Sequence, residues 1–256
     1  MTGFSPPPMN DRRHRLDEEL VSRGLVPSRS RARDLIRRGL VMVAGTVAAK
    51  PAQSVASDLE IAIAGDAGGL VSRGAEKLGA ALDFFRLDPA GRIAIDVGAS
   101  TGGFCEVLLD RGAARVYAVD VGHGQLHPRI AADPRVAQLE GVDARSLDHA
   151  RIPDPVGAIV ADVSFISLTL ALPSALTLAA PGAWLVALVK PQFETGRAGV
   201  GKGGIVRDPI RREAAVERVG AWLAAQSGWR LLGVMPSPIS GGSGNIEYLI
   251  GAVHDR

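Results

Sequence analysis

Cysteine and aromatic residues are scarce in this chain of 256 residues. A single cysteine, Cys105, excludes an internal disulfide and a metal site built from several cysteines. The 5 histidines share no ligand spacing apart from one weak pair, His123 and His127, so we predict no metal site. Aromatic residues account for 4% of the chain and charged residues for 22%, against 46% hydrophobic residues, which indicates a globular protein with a substantial core.

The sequence also has little that would hold it in a membrane or direct it for export. Its longest run without charge, Val163 to Val189, is broken by Pro173 and by Pro181-Gly182, whereas a transmembrane helix needs about 20 consecutive apolar residues. The amino terminus lacks the apolar core of a signal peptide, and we interpret residues 1–11 as a proline-rich disordered tail. We therefore expect a cytoplasmic protein with no membrane partner.

What the chain does have is a glycine loop that follows a predicted buried strand, between Ile93 and Phe104. The strand ends in Asp96 and a helix is expected from about Gly103, so backbone N–H groups should point at a ligand. The order Gly98-Ala-Ser-Thr-Gly102-Gly103 puts Ser100 where a dinucleotide loop has its second glycine. Because Asp96 also disfavours a diphosphate, S-adenosylmethionine, which carries an ammonium and a sulfonium, is the better candidate, and a nicotinamide cofactor is the weaker alternative.

Two further strand ends extend this predicted cofactor site. Asp120 follows the strand that starts at Arg115 and lies 24 residues after Asp96, where an acidic residue commonly binds ribose hydroxyls. Asp143 and Ala144 follow a third apolar run and are placed to meet the adenine. The predicted cofactor-binding residues are Asp96, Gly98, Ala99, Ser100, Thr101, Gly102, Gly103, Phe104, Asp120, Asp143 and Ala144. The alternative is a plain doubly wound sheet with turn glycines and solvated aspartates.

Positive charge is concentrated near the amino terminus. From Arg12 to Arg38 there are 9 arginines against 4 acidic residues, whereas the whole chain carries a net charge of only +2. The apolar spacing predicts two short helices here, and on the second one the arginines recur every fourth residue, which suits a phosphate backbone. A solvated helix face is the alternative. The predicted RNA-binding residues are Arg15, Arg29, Arg31, Arg33, Arg37 and Arg38.

A small β-meander is predicted after these helices, from Leu40 to Ile63. Arg15-Leu-Asp17, the second helix and Val43-Ala-Gly45 resemble the small RNA-binding domain of a ribosomal small-subunit protein, pseudouridine synthases and tyrosyl-tRNA synthetases. Ala44 departs from that family, which commonly has Asn there. We expect this α+β domain to cover residues 12–64, with a linker at 65–70 and a second domain at 71–256.

In the second domain, polar residues stand at the ends of apolar elements. Asp162 follows the fourth predicted strand and Lys190 follows the strand that begins at Trp184, so both should lie beside the cofactor loop. The whole pattern resembles the TlyA-type, haemolysin-A-like ribosomal RNA methyltransferases, which join the small RNA-binding domain to an FtsJ-like catalytic domain. The resemblance implies a Rossmann-like α/β fold with a seven-stranded sheet. It also implies a catalytic tetrad formed by Lys77, Asp162, Lys190 and Glu247.

The resemblance further implies 2′-O-ribose methylation, with S-adenosyl-L-methionine as cofactor and ribosomal RNA or ribosomal subunits, at cytidines, as substrate. Lys190 is then the candidate base or oxygen-positioning group, because a hydroxyl is a poor nucleophile until it loses its proton. Lys77 is its cationic neighbour, and the two acids hold the amines. A base methylase is disfavoured because Asp162-Val-Ser-Phe165 lacks the usual Pro-Pro signature and Cys105 is misplaced as a nucleophile. The sequence indicates no protein partner. A noncatalytic RNA-binding assembly factor and a membrane-active haemolysin stay open.

Overall fold

Two compact units divide the chain, Met1–Gly69 and Leu70–Arg256. The computed structural model describes residues 13–26, 29–37, 39–63, 70–196, 199–201, 203–241 and 244–255, without the side chains of residues 30, 31 and 34. The tail predicted at 1–11, residues 65–69 of the predicted linker, Arg38 and the side chain of Arg31 therefore lie outside the described residues.

The first unit combines two helices with short strands. Its elements are β1 (Arg13–Arg15), α1 (Leu16–Ser22), α2 (Arg29–Arg37), β2 (Val41–Val43), β3 (Thr46–Val47), β4 (Ser54–Ala56) and β5 (Ile61–Ile63). The predicted meander is wrong in its order: β5 pairs with β2 and not with β3, which gives the order β3-β2-β5 because the chain passes through β4 before it returns to the sheet. Strand β1 pairs with β4 in a separate antiparallel ribbon that the sequence pattern does not predict. Leu16 and Leu20 of α1 and Ile36 of α2 are almost fully buried, as the helical spacing of these apolar residues requires.

The hairpin between β2 and β3 turns on two residues with left-handed backbone conformations. Ala44 has a φ of 48° and Gly45 a φ of 75°. Such turns favour Asn-Gly, because an ordinary side chain at positive φ costs about 1–2 kcal/mol. Ala44 therefore carries strain that the Asn common in related domains would relieve.

A seven-stranded sheet with the order β11-β12-β10-β9-β6-β7-β8 forms the second unit, which confirms the predicted fold class. Its strands are β6 (Ile93–Val97), β7 (Arg115–Asp120), β8 (Val136–Glu140), β9 (Val156–Ala161), β10 (Ala179–Val189), β11 (Trp229–Pro236) and β12 (Tyr248–His254). Strand β12 runs antiparallel to both of its neighbours, whereas β6 to β10 pair in parallel. Strand β10 begins five residues before the predicted Trp184 and is irregular in register up to that residue.

Helices cover both faces of this sheet. They are α3 (Gly74–Phe85), α4 (Gly103–Asp110), α5 (Pro128–Ala131), α6 (Leu168–Ala171), α7 (Pro173–Thr177), α8 (Pro191–Glu194) and α9 (Pro209–Ala224), with a short 3₁₀ turn at Ala144–Ser146. One core contains Leu78 and Leu108 of α3 and α4, and the opposite core contains Val219 and Leu223 of α9. Within the described ranges, no helix is both long and apolar enough to cross a bilayer.

Strand order determines where a ligand site can lie. The chain proceeds outward from β6 through β7 to β8 and then returns to the other side of β6 as β9. Open α/β sheets bind ligands at the carboxyl ends of strands beside such a switch point. The side chains along β6 alternate between the faces, so Ile95 and Val97 enter one core while Asp96 faces α4 on the other side.

Candidate active site

The glycine loop after β6 is pressed against the end of β9. Gly98 has a φ of +85°, and a Cβ atom there would lie 2.6 Å from the backbone oxygen of Asp162. The amide of Asp162 in turn donates to the oxygen of Val97 at 3.0 Å. Only glycine combines this backbone conformation with so close an approach, so the backbone of the loop packs directly against the backbone of Asp162.

Asp120 links the end of β7 to the same loop. Its Oδ2 accepts a hydrogen bond from the amide of Ser100 at 2.8 Å, and its Oδ1 accepts one from the amide of Gly122 at 2.8 Å. Ser100 has a positive φ of 48°, which directs its N–H toward the carboxylate. Each carboxylate oxygen can accept a second hydrogen bond, so Asp120 keeps the capacity to bind ribose hydroxyls.

Asp96 is fully buried beneath the loop, with 0% exposure. Its Oδ2 accepts from the thiol of Cys105 at 3.0 Å, and its Oδ1 has no hydrogen-bond partner among the described residues. Burial raises the pKa of the Asp96 carboxyl to about 7, and the nearby charges of Asp162 and Asp120 act in the same direction. A cation beside this group of carboxylates would be stabilised, as expected for a site that binds an ammonium or a sulfonium.

The remaining predicted cofactor residues differ in what they expose. Gly102 and Gly103 begin α4, while Thr101 and Phe104 are buried and can present little more than backbone. The Asp143 carboxylate is occupied by the guanidinium and the amide of Arg145, and these bonds lower the pKa of Asp143 to about 2. Contact of Asp143 or Ala144 with an adenine therefore stays a prediction.

The four predicted catalytic residues form two ion pairs. Lys77 Nζ lies 2.6 Å from Glu247 Oε2, and their side chains are only 10% and 3% exposed. Lys190 Nζ lies 2.6 Å from Asp162 Oδ1, with side-chain exposures of 12% and 25%. Removing two ammonium–carboxylate pairs from solvent costs free energy that their attraction recovers only in part. Such pairs therefore favour a functional role over a purely stabilising one.

Strand register brings these pairs to the same edge of the sheet. Val189 of β10 pairs with Tyr248 of the antiparallel strand β12. Lys190, which follows Val189, therefore lies opposite Glu247, which precedes Tyr248, and neighbouring strands are about 4.8 Å apart. Asp162 follows β9 on the other side of β10. Lys77 comes from the first turns of α3 and reaches this edge through Glu247. The structure thus brings all four side chains together beside the Gly98 loop.

Three polar residues at this edge were not predicted. Ser164 accepts a hydrogen bond from Lys190 Nζ at 2.9 Å. Glu194, in the helix directly after Lys190, accepts from Ser167 Oγ at 2.6 Å and from the Leu168 amide at 2.9 Å. Asn245, which is 2% exposed, accepts from the Val206 amide and donates to the oxygen of Gly204. Ser164 and Glu194 lie shortly after strands and Asn245 lies shortly before β12, which is a usable signal, but spacing alone does not reveal which partner each one meets.

An exposed aromatic ring also marks the end of β9. Phe165 is 91% exposed and has a φ of 67°. Its ring lies 5.1 Å from that of Phe193, measured between centroids. A bulky residue at positive φ is a genuine backbone outlier, and such outliers are common at functional sites.

In the first unit, Asp17 occupies the centre of the predicted RNA-binding arginines. Its carboxylate has 0% exposure and accepts from Arg15 Nε at 2.9 Å, Arg33 Nε at 2.8 Å and Arg29 Nη2 at 3.3 Å. The hydrogen bond from Arg15 is the main reason that the pKa of Asp17 is far below its usual range. These arginines remain 43–46% exposed, and each guanidinium has five N–H donors, so donors are left for a phosphate. Arg37 is exposed at the end of α2.

Comparisons with known proteins agree with this architecture. The family model described as FtsJ-like methyltransferase matches residues 70–253, and the S4 domain model matches residues 14–61. The chain is 49% identical over 240 residues to the 16S/23S rRNA (cytidine-2′-O)-methyltransferase TlyA of Mycobacterium tuberculosis, a match that covers 93% of this chain and 89% of the relative.

Two proteins with haemolysin names are also similar. Hemolysin A of Brachyspira hyodysenteriae is 39% identical over 236 residues, covering 92% of this chain and 98% of that protein. A solved structure of a hemolysin-like protein from Streptococcus thermophilus matches with a TM-score of 0.74 and 39% identity over 95% of this chain and 89% of that chain. The predicted resemblance is thereby confirmed: the chain belongs to the FtsJ-like methyltransferase family, among its TlyA-type members that carry an S4 domain.

Proposed function

We propose that the protein transfers a methyl group from S-adenosyl-L-methionine to the ribose 2′-hydroxyl of cytidines in ribosomal RNA, and that it does so on ribosomal subunits in the cytoplasm. The observation that carries the proposal is the pair of Lys–Asp and Lys–Glu contacts at the strand edge beside the Gly98 loop. The similarity to an rRNA (cytidine-2′-O)-methyltransferase over 93% of the chain supports the choice of substrate.

The residues around the loop suit this cofactor. The buried Asp96 oxygen that has no partner among the described residues can accept from an ammonium, and Asp120 retains capacity for ribose hydroxyls. When bound, S-adenosyl-L-methionine supplies an electrophilic methyl group on a sulfonium. The carboxylates of Asp96, Asp120 and Asp162 would stabilise that positive charge at the switch point, where the backbone of Gly98 would allow close approach.

The lysines supply the groups that a ribose hydroxyl needs. The Lys190 ammonium would first release a proton to solvent; its Nζ would then accept the hydroxyl proton as the oxygen takes the methyl group, and the electron pair of the C–S bond would stay on sulfur. Asp162 holds Lys190 in place at 2.6 Å and stabilises the ammonium that forms. The Lys77–Glu247 ion pair lies at the same edge of the sheet and would help to keep the hydroxyl aligned for in-line attack.

The S4 unit supports RNA as the substrate. Arg15, Arg29 and Arg33 fan outward from one buried carboxylate, which holds their guanidiniums in fixed positions. Ordered guanidiniums lose less conformational entropy when they bind phosphates than free arginines do. Affinity for RNA should therefore fall steeply with salt concentration.

Methyl transfer to ribosomal subunits tests the proposal. Separated small and large subunits from a strain that lacks this protein are incubated with the enzyme and radiolabelled cofactor, and the nucleosides are then analysed. Label in 2′-O-methylcytidine is the expected result and shows which subunit is modified. Label in a base-methylated nucleoside, or no label despite bound cofactor, would refute ribose methylation.

A substitution at Lys190 tests the chemistry itself. Lys190→Met keeps an unbranched side chain of similar shape but has no basic nitrogen, so we expect normal cofactor affinity by calorimetry and loss of methyl transfer. Lys50→Met, which removes an exposed lysine of the S4 unit, serves as the control. If Lys190→Met turned over like the control, Lys190 would have no part in the reaction; failure of the wild type to bind cofactor would favour the noncatalytic RNA-binding alternative.

A further inference from the structure

Ser164 makes a contact that the reaction, as outlined above, does not use. The Lys190 ammonium has two partners among the described residues, Asp162 Oδ1 at 2.6 Å and Ser164 Oγ at 2.9 Å. The Lys190 side chain is only 12% exposed, although Ser164 itself is exposed. The two partners lie in the same short segment after β9, with one residue between them.

The geometry of the Lys190 nitrogen determines where its lone pair can point. A tetrahedral nitrogen has one bond to its own side chain and three other directions, each occupied by a hydrogen or by the lone pair. Ser164 accepts a hydrogen bond from one N–H group, whereas Asp162 Oδ1 contacts the nitrogen as an ion pair without accepting a hydrogen bond. The contact with Ser164 therefore decides how the other directions point, and in the neutral amine one of them is the lone pair, which is where a hydroxyl proton must arrive.

We infer that Ser164 is a positioning residue for methyl transfer: together with Asp162 it turns the lone pair of Lys190 toward the ribose hydroxyl. This inference rests on the proposed function. Asp162 attracts the nitrogen by charge at 2.6 Å but accepts no hydrogen bond from it, so Asp162 alone leaves the three N–H donors free to rotate about the last side-chain bond. The hydrogen bond to Ser164 removes that freedom before the substrate arrives.

A hydroxyl is well suited to this position. Its oxygen accepts a hydrogen bond both from the ammonium and from the amine, so the contact persists when Lys190 gains the proton. A second carboxylate would instead favour the ammonium strongly and oppose formation of the base. Ser164 thus orients Lys190 without adding a negative charge to an edge that already contains Asp162 and Glu247.

The segment that carries Ser164 is held at both ends. At its start the Asp162 amide donates to Val97, and at its end Glu194 accepts from Ser167 and Leu168. Glu194 belongs to α8, which begins directly after Lys190. The lysine and its serine partner are therefore fixed to each other by contacts outside the pair, as precise orientation requires.

Nothing else in the described residues depends on the Ser164 hydroxyl. Ser164 is exposed, and its one recorded side-chain hydrogen bond is the one from Lys190. Removing the oxygen should therefore leave the stability of the fold unchanged. This separates a positioning role from a structural one.

Kinetics of Ser164→Ala and Ser164→Thr test the inference. We expect Ser164→Ala to lower kcat about 10-fold, the usual consequence of losing one hydrogen bond to a charged group, with KM for the cofactor and the thermal midpoint unchanged. Ser164→Thr keeps a hydroxyl at an exposed position and should restore kcat to near the wild-type value. Ser164→Cys keeps the shape with a weak acceptor and provides the same comparison should the alanine variant fail to fold.

The outcomes separate this inference from the proposed function. An active wild type with unchanged kcat in Ser164→Ala would overturn the role of Ser164 alone. So would a rise in cofactor KM at constant kcat, or a threonine variant as slow as the alanine variant. A wild type without methyl transfer to ribosomal RNA would instead overturn the proposed function.

Discussion

Replacing Asp96 by asparagine should change how the stability of the second unit, Leu70–Arg256, depends on pH. The Asp96 carboxyl is fully buried, and its pKa is raised from 3.8 to about 7. The folded protein therefore holds a proton that the unfolded chain releases between these two values, so stability falls as pH rises through this window. A shift of about three units corresponds to about 4 kcal/mol in full, of which about 3 kcal/mol is lost between pH 5 and pH 8.

Urea denaturation at pH 5, 6, 7 and 8, at constant ionic strength, measures this effect. The free energy of unfolding of the wild type should fall relative to that of Asp96→Asn by about 3 kcal/mol over this range, because asparagine cannot ionise. Asp83→Asn, which removes a carboxylate that is 69% exposed, is the control and should follow the wild type closely. Parallel curves for the wild type and Asp96→Asn would refute the reasoning.

The pH dependence of cofactor affinity provides a second test of the raised pKa of Asp96. A cationic ligand is stabilised by the ionised form of Asp96, so the ligand should displace the proton. Affinity of the wild type for S-adenosylmethionine should then rise as pH increases toward and just above 7, while Asp96→Asn should show no such rise. Calorimetry in two buffers of different ionisation enthalpy would detect the released proton directly. A wild type that releases no proton on binding would separate Asp96 from the ligand.

Two substitutions test other features of the fold. Glu247→Ala leaves the Lys77 ammonium buried without its partner, so the free energy of unfolding should fall by about 3–5 kcal/mol in urea denaturation. Adding Lys77→Met should recover most of that loss, and a single variant as stable as the wild type would show that the pair is solvated. Ala44→Asn suits the left-handed φ of 48° in the β2–β3 hairpin and should raise the stability of the S4 unit by about 0.5–1 kcal/mol. An unchanged thermal midpoint would mean that the turn is not strained.

Strand ends were the most predictable part of the structure. Asp96, Asp120, Asp162 and Lys190 each follow a short apolar run, and a parallel sheet necessarily gathers such positions at one edge. The sheet itself was predicted for the same reason, since buried parallel strands are continuous apolar runs. What each of these residues does in the reaction stays a prediction, because their roles depend on ligands that contact them.

Contacts between distant segments were not predictable. The spacing of Arg29 and Arg33 places both on one face of α2, but it does not reveal that Asp17 of another helix lies opposite them. The β1–β4 ribbon was missed because three-residue strands have almost no periodicity and their partners are separated by about 40 positions. Pro181-Gly182 predicted a turn, yet the strand continues through it with an irregular register, which the neighbouring strand tolerates.

The Lys77–Glu247 pair also determines when the site can come into existence. The two residues are 170 positions apart, and Glu247 precedes the final strand, which inserts between β10 and β11. A chain emerging from the ribosome can form the S4 unit and the cofactor loop long before that strand has been synthesised. Lys77 therefore stays without its ion-pair partner until the segment after β11 has been synthesised, and a chain that stops before Glu247 would leave this lysine unpaired at the edge of the sheet.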